Sequence, residues 1–243
     1  RLMSATIIDG KAVAQTLRYR VAQEVAALDK IRTSTDYSSL HDAQLVIEAA
    51  TENLDLKLRV LQQIAAQVSA ECVIASNTSS LSITQLAASV SQPERFIGLH
   101  FFNPVPVMGL IEVIRGLQTS DATHTLALDM ATRLGKTAIT AGNRPGFVVN
   151  RILVPMINEA ILVLQEGLAS AEDIDAGMRL GCNQPIGPLA LADLIGLDTL
   201  LAIMQAFYEG FNDSKYRPAP LLKEMVAAGY LGRKTGRGFH AYA

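Results

Sequence analysis

Hydrophobic positions in the first 140 residues follow two alternating patterns. Short apolar runs, typical of buried strands, alternate with stretches in which apolar residues recur at helical spacing. The predicted strands are residues 5–9, 44–50, 72–76, 95–101, 110–115 and 136–140, and the predicted helices are residues 11–28, 54–68 and 121–134, with a short one beginning at Ser82. Strands that alternate with helices indicate an α/β layer with a mostly parallel sheet.

The pattern changes at Asn143. Pro145 and Gly146 interrupt the chain, and beyond them only helical periodicity remains, at residues 147–164, 171–180, 188–208 and 218–228. Residues 147–164 are apolar nearly all round, so we expect that helix to be buried between other elements. The predicted fold is therefore α/β and Rossmann-like with a mostly parallel sheet over residues 1–143, followed by an all-helical domain over residues 144–243.

The amino-acid composition excludes several classes of function. Of the 243 residues, 49% are hydrophobic, which is enough to bury a large core, while 18% are charged and the net charge is only -2. This balance argues against nucleic-acid binding, and we expect no membrane span and no signal peptide. Cys72 and Cys182 lie in apolar surroundings and the four histidines are scattered. We therefore expect buried thiols, no metal site and a soluble cytoplasmic enzyme.

Polar side chains follow two of the predicted strands. Residues 76–80 (SNTSS) come directly after one strand, and His100 ends the next. Ligands of open α/β sheets sit at the carboxyl ends of strands, where hydroxyl groups can hold a polar substrate. A histidine titrates near neutrality and suits proton transfer. The alternatives are that the loop only caps the helix that begins at Ser82, with Gln85 as partner, and that His100 is structural.

Two further segments carry polar residues in apolar surroundings. Glu112 lies inside the strand pattern LIEVI, where an unpaired carboxylate is costly to bury, so it either faces solvent or has a partner such as a histidine. Asn150 and Arg151 fall in the first turns of a predicted buried helix, within residues 145–151 (PGFVVNR). An amide and a guanidinium there indicate a site, and solvent exposure is the alternative.

Together these segments resemble the L-3-hydroxyacyl-CoA dehydrogenase family, in particular its bacterial 3-hydroxybutyryl-CoA members. The likeness runs from about residue 31 to the end and rests on five motifs in family order. They are residues 76–80 (SNTSS), 100–104 (HFFNP), 145–151 (PGFVVNR), 196–199 (GLDT) and 232–238 (GRKTGRG). The resemblance implies NAD-dependent oxidation of the 3-hydroxyl of a short-chain acyl-CoA.

Site roles follow from the same resemblance. His100 would be the general base, and Glu112 would pair with its imidazole, orient it and stabilise its positive form. Ser79 and Asn150 would hydrogen-bond the substrate oxygen and the surroundings of the histidine.

The resemblance also implies a cofactor and a partner. NAD would supply the hydride chemistry. The positions that match dinucleotide contacts in the family are Glu52, Lys57, Asn103 and Lys234, and we expect Glu52 and Lys57 to line one edge of the cleft. The helical domain would cover an acyl-CoA substrate and form a homodimer interface, with no nucleic acid and no membrane partner.

The start of the sequence departs from the family. The phosphate-binding motif G-x-G-x-x-G is absent, so we expect weaker NAD binding. Residues 5–28 either stand in for the family's second strand and helix, with Asp9 on the adenosine ribose, or come from elsewhere. The second account is favoured because residues 7–18 are similar to the N-terminal segment of methylenetetrahydrofolate dehydrogenase/cyclohydrolase, from which no folate activity is carried over.

Three functions remain open at this point. The leading one is a working NAD-dependent dehydrogenase that acts on 3-hydroxybutyryl-CoA and acetoacetyl-CoA, favoured by the joint presence of Ser79, His100, Glu112 and Asn150. The second is a catalytically impaired dimeric relic that keeps the fold and acyl-CoA binding, favoured by the missing glycine loop. The third is a 3-hydroxy acid dehydrogenase that acts on a free sugar acid.

Overall fold

The computed structural model describes residues 30–242 of the chain. A five-stranded sheet in this range has the order β1-β2-β3-β4-β5, with β4 antiparallel to β3 and every other pair parallel. The strands are β1 (Leu45–Glu48), β2 (Val73–Ser76), β3 (Phe96–Phe101), β4 (Leu110–Arg115) and β5 (Thr137–Gly142). The predicted strands in this range are therefore confirmed, with ends that differ by at most two residues.

Alternate residues of the strands enter two separate cores, because successive side chains of a strand point to opposite faces. Helices α1 (Leu54–Ala65) and α2 (Ile83–Ala87) contribute to one core, and α3 (Asp121–Arg133) contributes to the other. The strand residues of the first core are Ile74, Phe96, Ile114 and Ala141, and those of the second are Val73, Ala75, Ile97, Leu99, Ile111 and Val113. A sheet covered on both faces explains why its strands read as continuous apolar runs.

The remaining helices build a third core. They are α4 (Val149–Gln165), α5 (Ala171–Gly181), α6 (Pro188–Ile195), α7 (Leu197–Phe211) and α8 (Pro220–Ala227). Their inward side chains, Ile157, Ile161, Leu189, Leu200, Met204 and Phe207 among them, are fully buried. The fold is thus a Rossmann-like α/β domain with a mostly parallel sheet, followed by a helical domain, as predicted.

Three predictions need correction. A single helix over residues 188–208 is wrong, because Gly196 adopts a φ of +99° and the chain bends by 97° between α6 and α7. Cys182, expected to be buried, is exposed just after α5. Helix α4 is not covered all round, since Ile152 is 68% exposed.

Some predictions lie outside the described residues. These are the strand at residues 5–9, the helix at residues 11–28, the role of Asp9 and the missing or replaced phosphate-loop unit.

Between residues 30 and 242, no single helix is long and apolar enough to cross a membrane, and only the bent pair α6–α7 has that length and composition when its two helices are taken together. No cluster of three or more His, Cys, Asp or Glu side chains in the same range could hold a metal ion.

The C-terminal segment after α8 is tied down by one buried carboxylate. Asp193 accepts hydrogen bonds from the backbone N–H groups of Phe239 and His240, both at 2.9 Å, and from the Tyr242 hydroxyl at 2.9 Å. A side chain at Gly238 would collide with this carboxylate. The glycine-rich motif at residues 232–238 is therefore shaped to wrap around Asp193.

We expect Asp193→Ala to lower the free energy of unfolding by about 2–3 kcal/mol, because three hydrogen-bond donors lose their charged acceptor. Urea unfolding measures this change. The matched control is Asp129→Ala, which removes an exposed carboxylate on α3 and should change stability by less than about 0.5 kcal/mol. Equal losses in the two variants would contradict the assigned role of Asp193.

Candidate active site

The centre of the site is a histidine and a glutamate on adjacent antiparallel strands. His100 on β3 and Glu112 on β4 are directly opposite in the register, so their side chains leave the sheet on the same face. The Nδ1 atom of His100 lies 2.7 Å from Oε2 of Glu112. His100 is 5% exposed and Glu112 is fully buried. Glu112 therefore has the histidine partner that offsets the cost of burying its carboxylate in an apolar strand.

The second oxygen of Glu112 holds the start of helix α4. Its Oε1 accepts hydrogen bonds from the backbone N–H groups of Val148 and Val149, each at 3.0 Å. The first N–H groups of a helix have no partner within the helix, and a carboxylate at that end also has favourable electrostatics. Burial alone would raise the pKa of Glu112, but the hydrogen bonds from His100, Val149 and Val148 outweigh it and hold that pKa below the ordinary 4.5. Glu112 is therefore ionised near neutral pH.

The ionised carboxylate sets the protonation pattern of the histidine ring. A carboxylate only accepts hydrogen bonds, so Nδ1 of His100 carries the proton that it donates to Glu112. In the neutral ring, Nε2 is then unprotonated and can act as a base. The ring is further confined by Phe102 and Phe147, whose centroids lie 4.7 and 5.6 Å from its own.

Ser79 lies at the basic nitrogen. Its Oγ atom is 3.1 Å from Nε2 of His100, in the loop that follows β2. A polar substrate group that reaches Nε2 would therefore also meet the Ser79 hydroxyl. The structure thus brings together His100, Glu112 and Ser79, and the arrangement is that of a general acid–base site.

Glu52 is connected to this group through the loop at residues 76–80. Its Oε1 accepts a hydrogen bond from the Ser79 backbone N–H at 3.0 Å, and its Oε2 accepts one from the Thr78 hydroxyl at 2.7 Å. Glu52 is otherwise exposed. It lies at the edge of the sheet formed by the carboxyl ends of β1, β2 and β3, where open α/β sheets bind ligands.

Lys57 has a different environment from the expected one. Its Nζ atom lies 2.5 Å from Oε2 of Glu48 and 3.4 Å from the Ser76 hydroxyl, and only 1% of the residue is exposed. Burial raises the pKa of Glu48, but Lys57, the Ala50 N–H and Ser76 together bring it below its ordinary value. The expectation that Lys57 lines an open cleft edge beside Glu52 is corrected: it lies inside a buried ion pair.

The other predicted residues make no hydrogen bond to His100, Glu112 or Ser79 within residues 30–242. Asn103 is exposed after β3. Lys234 contacts both carboxylate oxygens of Asp198, at 2.6 and 2.7 Å, and so joins the motifs at residues 196–199 and 232–238. Asn150 is half-buried in the first turn of α4, and its side chain makes no hydrogen bond within residues 30–242.

Arg151, singled out with Asn150, has a packing role. Its guanidinium lies 3.9 Å from the centroid of the Phe211 ring and 4.3 Å from that of Tyr216. These cation–π contacts tie α4 to the end of α7 and to the turn at Ser214–Tyr216.

Sequence reasoning missed three parts of the site. The Glu48 carboxylate could have been found by the argument used for Glu112, since both lie in apolar strands. Thr78 gave no separate signal within its polar loop. The N–H groups of Val148 and Val149 gave none either, because backbone donors are the same for almost every residue type.

The sequence matches two family models that together cover nearly the whole chain. Residues 5–144 match the model described as 3-hydroxyacyl-CoA dehydrogenase, NAD binding domain, and residues 146–242 match 3-hydroxyacyl-CoA dehydrogenase, C-terminal domain. The first match includes residues 5–28, so the family likeness begins before residue 31 and extends over the segment that was expected to resemble methylenetetrahydrofolate dehydrogenase/cyclohydrolase.

Individual relatives agree with these matches. The 3-hydroxybutyryl-CoA dehydrogenase of Bradyrhizobium diazoefficiens is 50% identical over 237 residues, which cover 97% of this chain and 81% of the relative. A probable 3-hydroxybutyryl-CoA dehydrogenase of Deinococcus radiodurans is 53% identical over 88% of this chain and 77% of its own length. The crystal structure of (S)-3-hydroxybutyryl-CoA dehydrogenase from Ralstonia eutropha superimposes with a TM-score of 0.89 at 60% identity, covering 96% of this chain and 85% of that one.

We expect the stability difference between the wild type and Glu112→Gln to shrink in acid. The pKa of Glu112 is lower in the folded protein than its ordinary 4.5, so its ionised form stabilises the fold. That contribution is complete above about pH 5.5 and is lost as the pH falls through the folded pKa. Urea unfolding of both proteins at about pH 5.5 and at lower pH measures it. A difference that stays constant or grows below about pH 4.5 would contradict the assigned state of Glu112.

Proposed function

Because the chain belongs to the 3-hydroxyacyl-CoA dehydrogenase family, we propose that it oxidises 3-hydroxybutyryl-CoA to acetoacetyl-CoA with NAD. The observation that carries the proposal is the position of His100, held at Nδ1 by Glu112 and contacted at Nε2 by Ser79. The relatives named 3-hydroxybutyryl-CoA dehydrogenase support the short acyl chain.

The chain's own residues supply the acid–base part of the reaction. Nε2 of His100 accepts the proton of the substrate 3-hydroxyl, and the ionised Glu112 stabilises the positive ring that results. The Ser79 hydroxyl and the Asn150 amide contact the substrate oxygen as its charge changes. The half-buried Asn150 amide, without a partner in the described residues, is available for this contact. NAD, when bound, would supply the hydride acceptor for the carbon that bears this oxygen.

The residues at the carboxyl ends of β1, β2 and β3 fit a dinucleotide. The exposed Glu52 carboxylate and the exposed Asn103 amide are groups that hydrogen-bond ribose hydroxyls and a carboxamide. We assign cofactor contacts to Glu52, Asn103 and Lys234, and the contact of Lys234 competes with Asp198. Lys57 is left out of this set, because its ammonium is buried in the Glu48 ion pair and has no surface for a cofactor.

We expect His100→Gln to lower kcat for acetoacetyl-CoA reduction by about 10²–10⁴-fold, because glutamine cannot exchange the proton. Absorbance of the reduced nicotinamide follows turnover, and NADH fluorescence measures cofactor binding, which should persist in the variant. His124→Gln is the matched control: His124 bonds Thr140 outside the site, so its turnover should equal that of the wild type.

Three outcomes would contradict the proposal. A His100→Gln variant as active as the His124→Gln control would remove the histidine from the reaction. A folded wild-type protein that neither binds NADH nor turns over acetoacetyl-CoA would favour the impaired relic, and turnover of the free acid in preference to the thioester would favour the sugar-acid enzyme.

We also propose a homodimer formed through the helical domain, with the domain boundary near residue 143. An apolar groove of about 450 Å³ on α4 supports it, lined by Val149, Ile152 and Met156 with Pro185 and Ile186. Ile152 is 68% exposed within this groove, an unfavourable position unless another surface covers it. A cytoplasmic location stays a prediction from the sequence.

We expect Ile152→Glu to convert a dimer into a monomer, because a charge in an apolar interface loses its hydration. Sedimentation velocity measures the oligomeric state. Leu117→Glu is the control, since Leu117 is 88% exposed on the α/β half and its variant should stay dimeric. A dimeric Ile152→Glu protein would place the interface elsewhere.

A further inference from the structure

We propose that Thr78 is a positioning residue that holds the Ser79 hydroxyl against His100 by way of the Glu52 carboxylate. The inference rests on the proposed function, because it assigns Thr78 a part in the proton transfer at His100. Thr78 is only 1% exposed, so its own side chain has no surface on which to contact a substrate or a cofactor.

A single carboxylate joins the two neighbouring residues. The Thr78 hydroxyl donates to Oε2 of Glu52 at 2.7 Å, and the Ser79 backbone N–H donates to Oε1 at 3.0 Å. The backbone at Ser79 is therefore held in two ways: through its own N–H group and through the side chain of the preceding residue, Thr78. Charge-assisted hydrogen bonds of this kind are the stronger ones in proteins.

The hydroxyl of Thr78 also binds the backbone of the residues that follow Ser79. Its Oγ1 accepts hydrogen bonds from the N–H groups of Leu81 at 3.0 Å and Ser80 at 3.3 Å. The hydroxyl proton is then committed to Glu52, because both lone pairs face N–H donors. The Thr78 hydroxyl therefore links the two residues that follow Ser79 to the Glu52 carboxylate.

Ser79 needs such support because it lies in a loop. No strand or helix fixes residues 77–80, and a serine hydroxyl has three staggered χ1 positions. Only a fixed backbone at residue 79 keeps one of these positions 3.1 Å from Nε2 of His100. Catalytic geometry tolerates little error, so a loose backbone at this point would lower kcat while the fold persists.

Two other side chains near Ser79 bind different partners. Asn77 accepts the Phe101 N–H at 2.8 Å and ties the loop to β3, and Ser76 donates to Glu48 at 2.8 Å. Neither reaches Glu52 or Ser79. The link from Glu52 to Ser79 therefore depends on Thr78 and on the Ser79 N–H.

The test compares Thr78→Val, Thr78→Ser, Ser79→Ala and the double variant Thr78→Val/Ser79→Ala. Valine keeps the shape of threonine and removes the hydroxyl, whereas serine keeps the hydroxyl. We expect Thr78→Val to lower kcat about tenfold with the KM for NADH within about twofold, and Thr78→Ser to restore kcat. The double variant should equal Ser79→Ala, because a residue that acts through Ser79 adds nothing once that hydroxyl is gone.

Thr119→Val is the control for a general loss of packing. Thr119 is also buried, and its hydroxyl likewise accepts a backbone N–H, from Gly116, and donates to an oxygen, that of Phe96. Its variant should lose stability in urea and keep kcat. Unchanged kcat in Thr78→Val, or losses that multiply in the double variant, would overturn the inference while leaving the dehydrogenase activity in place.

A second readout does not depend on turnover. The NMR resonance of the His100 Cε1 proton reports the contact at Nε2, and it should move in Thr78→Val in the same direction as in Ser79→Ala, with no change in Thr119→Val. A wild-type protein without turnover would defeat the proposed function, and this comparison would still decide the inference. Should Thr78→Val fail to fold, Glu52→Gln replaces it, since glutamine puts an NH₂ donor in place of one of the two oxygens that accept from Thr78 and Ser79. An unmoved His100 resonance would overturn the role of Thr78.

Discussion

Burying an ionised carboxylate inside an apolar sheet costs several kcal/mol unless hydrogen bonds replace its lost water. Glu112 meets this condition with three donors: Nδ1 of His100 and the N–H groups of Val148 and Val149. Each donor fixes a different part of the molecule. One sets the orientation of the histidine ring, and the other two fix the start of helix α4. The helical half is thus attached to the sheet at the same carboxylate that orients the base, through its other oxygen.

A second buried carboxylate follows the same rule on the neighbouring strands. Glu48, at the end of β1, pairs with the Lys57 ammonium and accepts a hydrogen bond from the Ser76 hydroxyl at the end of β2. Removing one partner of such a pair leaves a charge in an apolar environment, which is far more costly than the pair itself. The edge of the sheet that carries the loop at residues 76–80 is therefore held by charge as well as by backbone hydrogen bonds.

The sequence predicted the sheet well because its strands are buried on both faces and read as uninterrupted apolar runs. The strand pattern LIEVI left open whether Glu112 faces solvent or has a partner, and the family resemblance pointed to His100 as that partner, which the structure confirms. The break between α6 and α7 escaped detection because a lone glycine is tolerated within helices, and only the positive φ of Gly196 reveals the turn. The burial of Lys57 escaped too, since spacing from Glu52 says nothing about which face of α1 is covered.

The donors that Glu112 receives from α4 belong to the main chain. Every amino acid except proline carries an N–H group, so substitutions at positions 148 and 149 leave these two hydrogen bonds intact. The side chains of the same two valines line the apolar groove on α4. The groove can therefore diverge during evolution, or be redesigned in the laboratory, while the acid–base pair beneath it is conserved by backbone geometry alone.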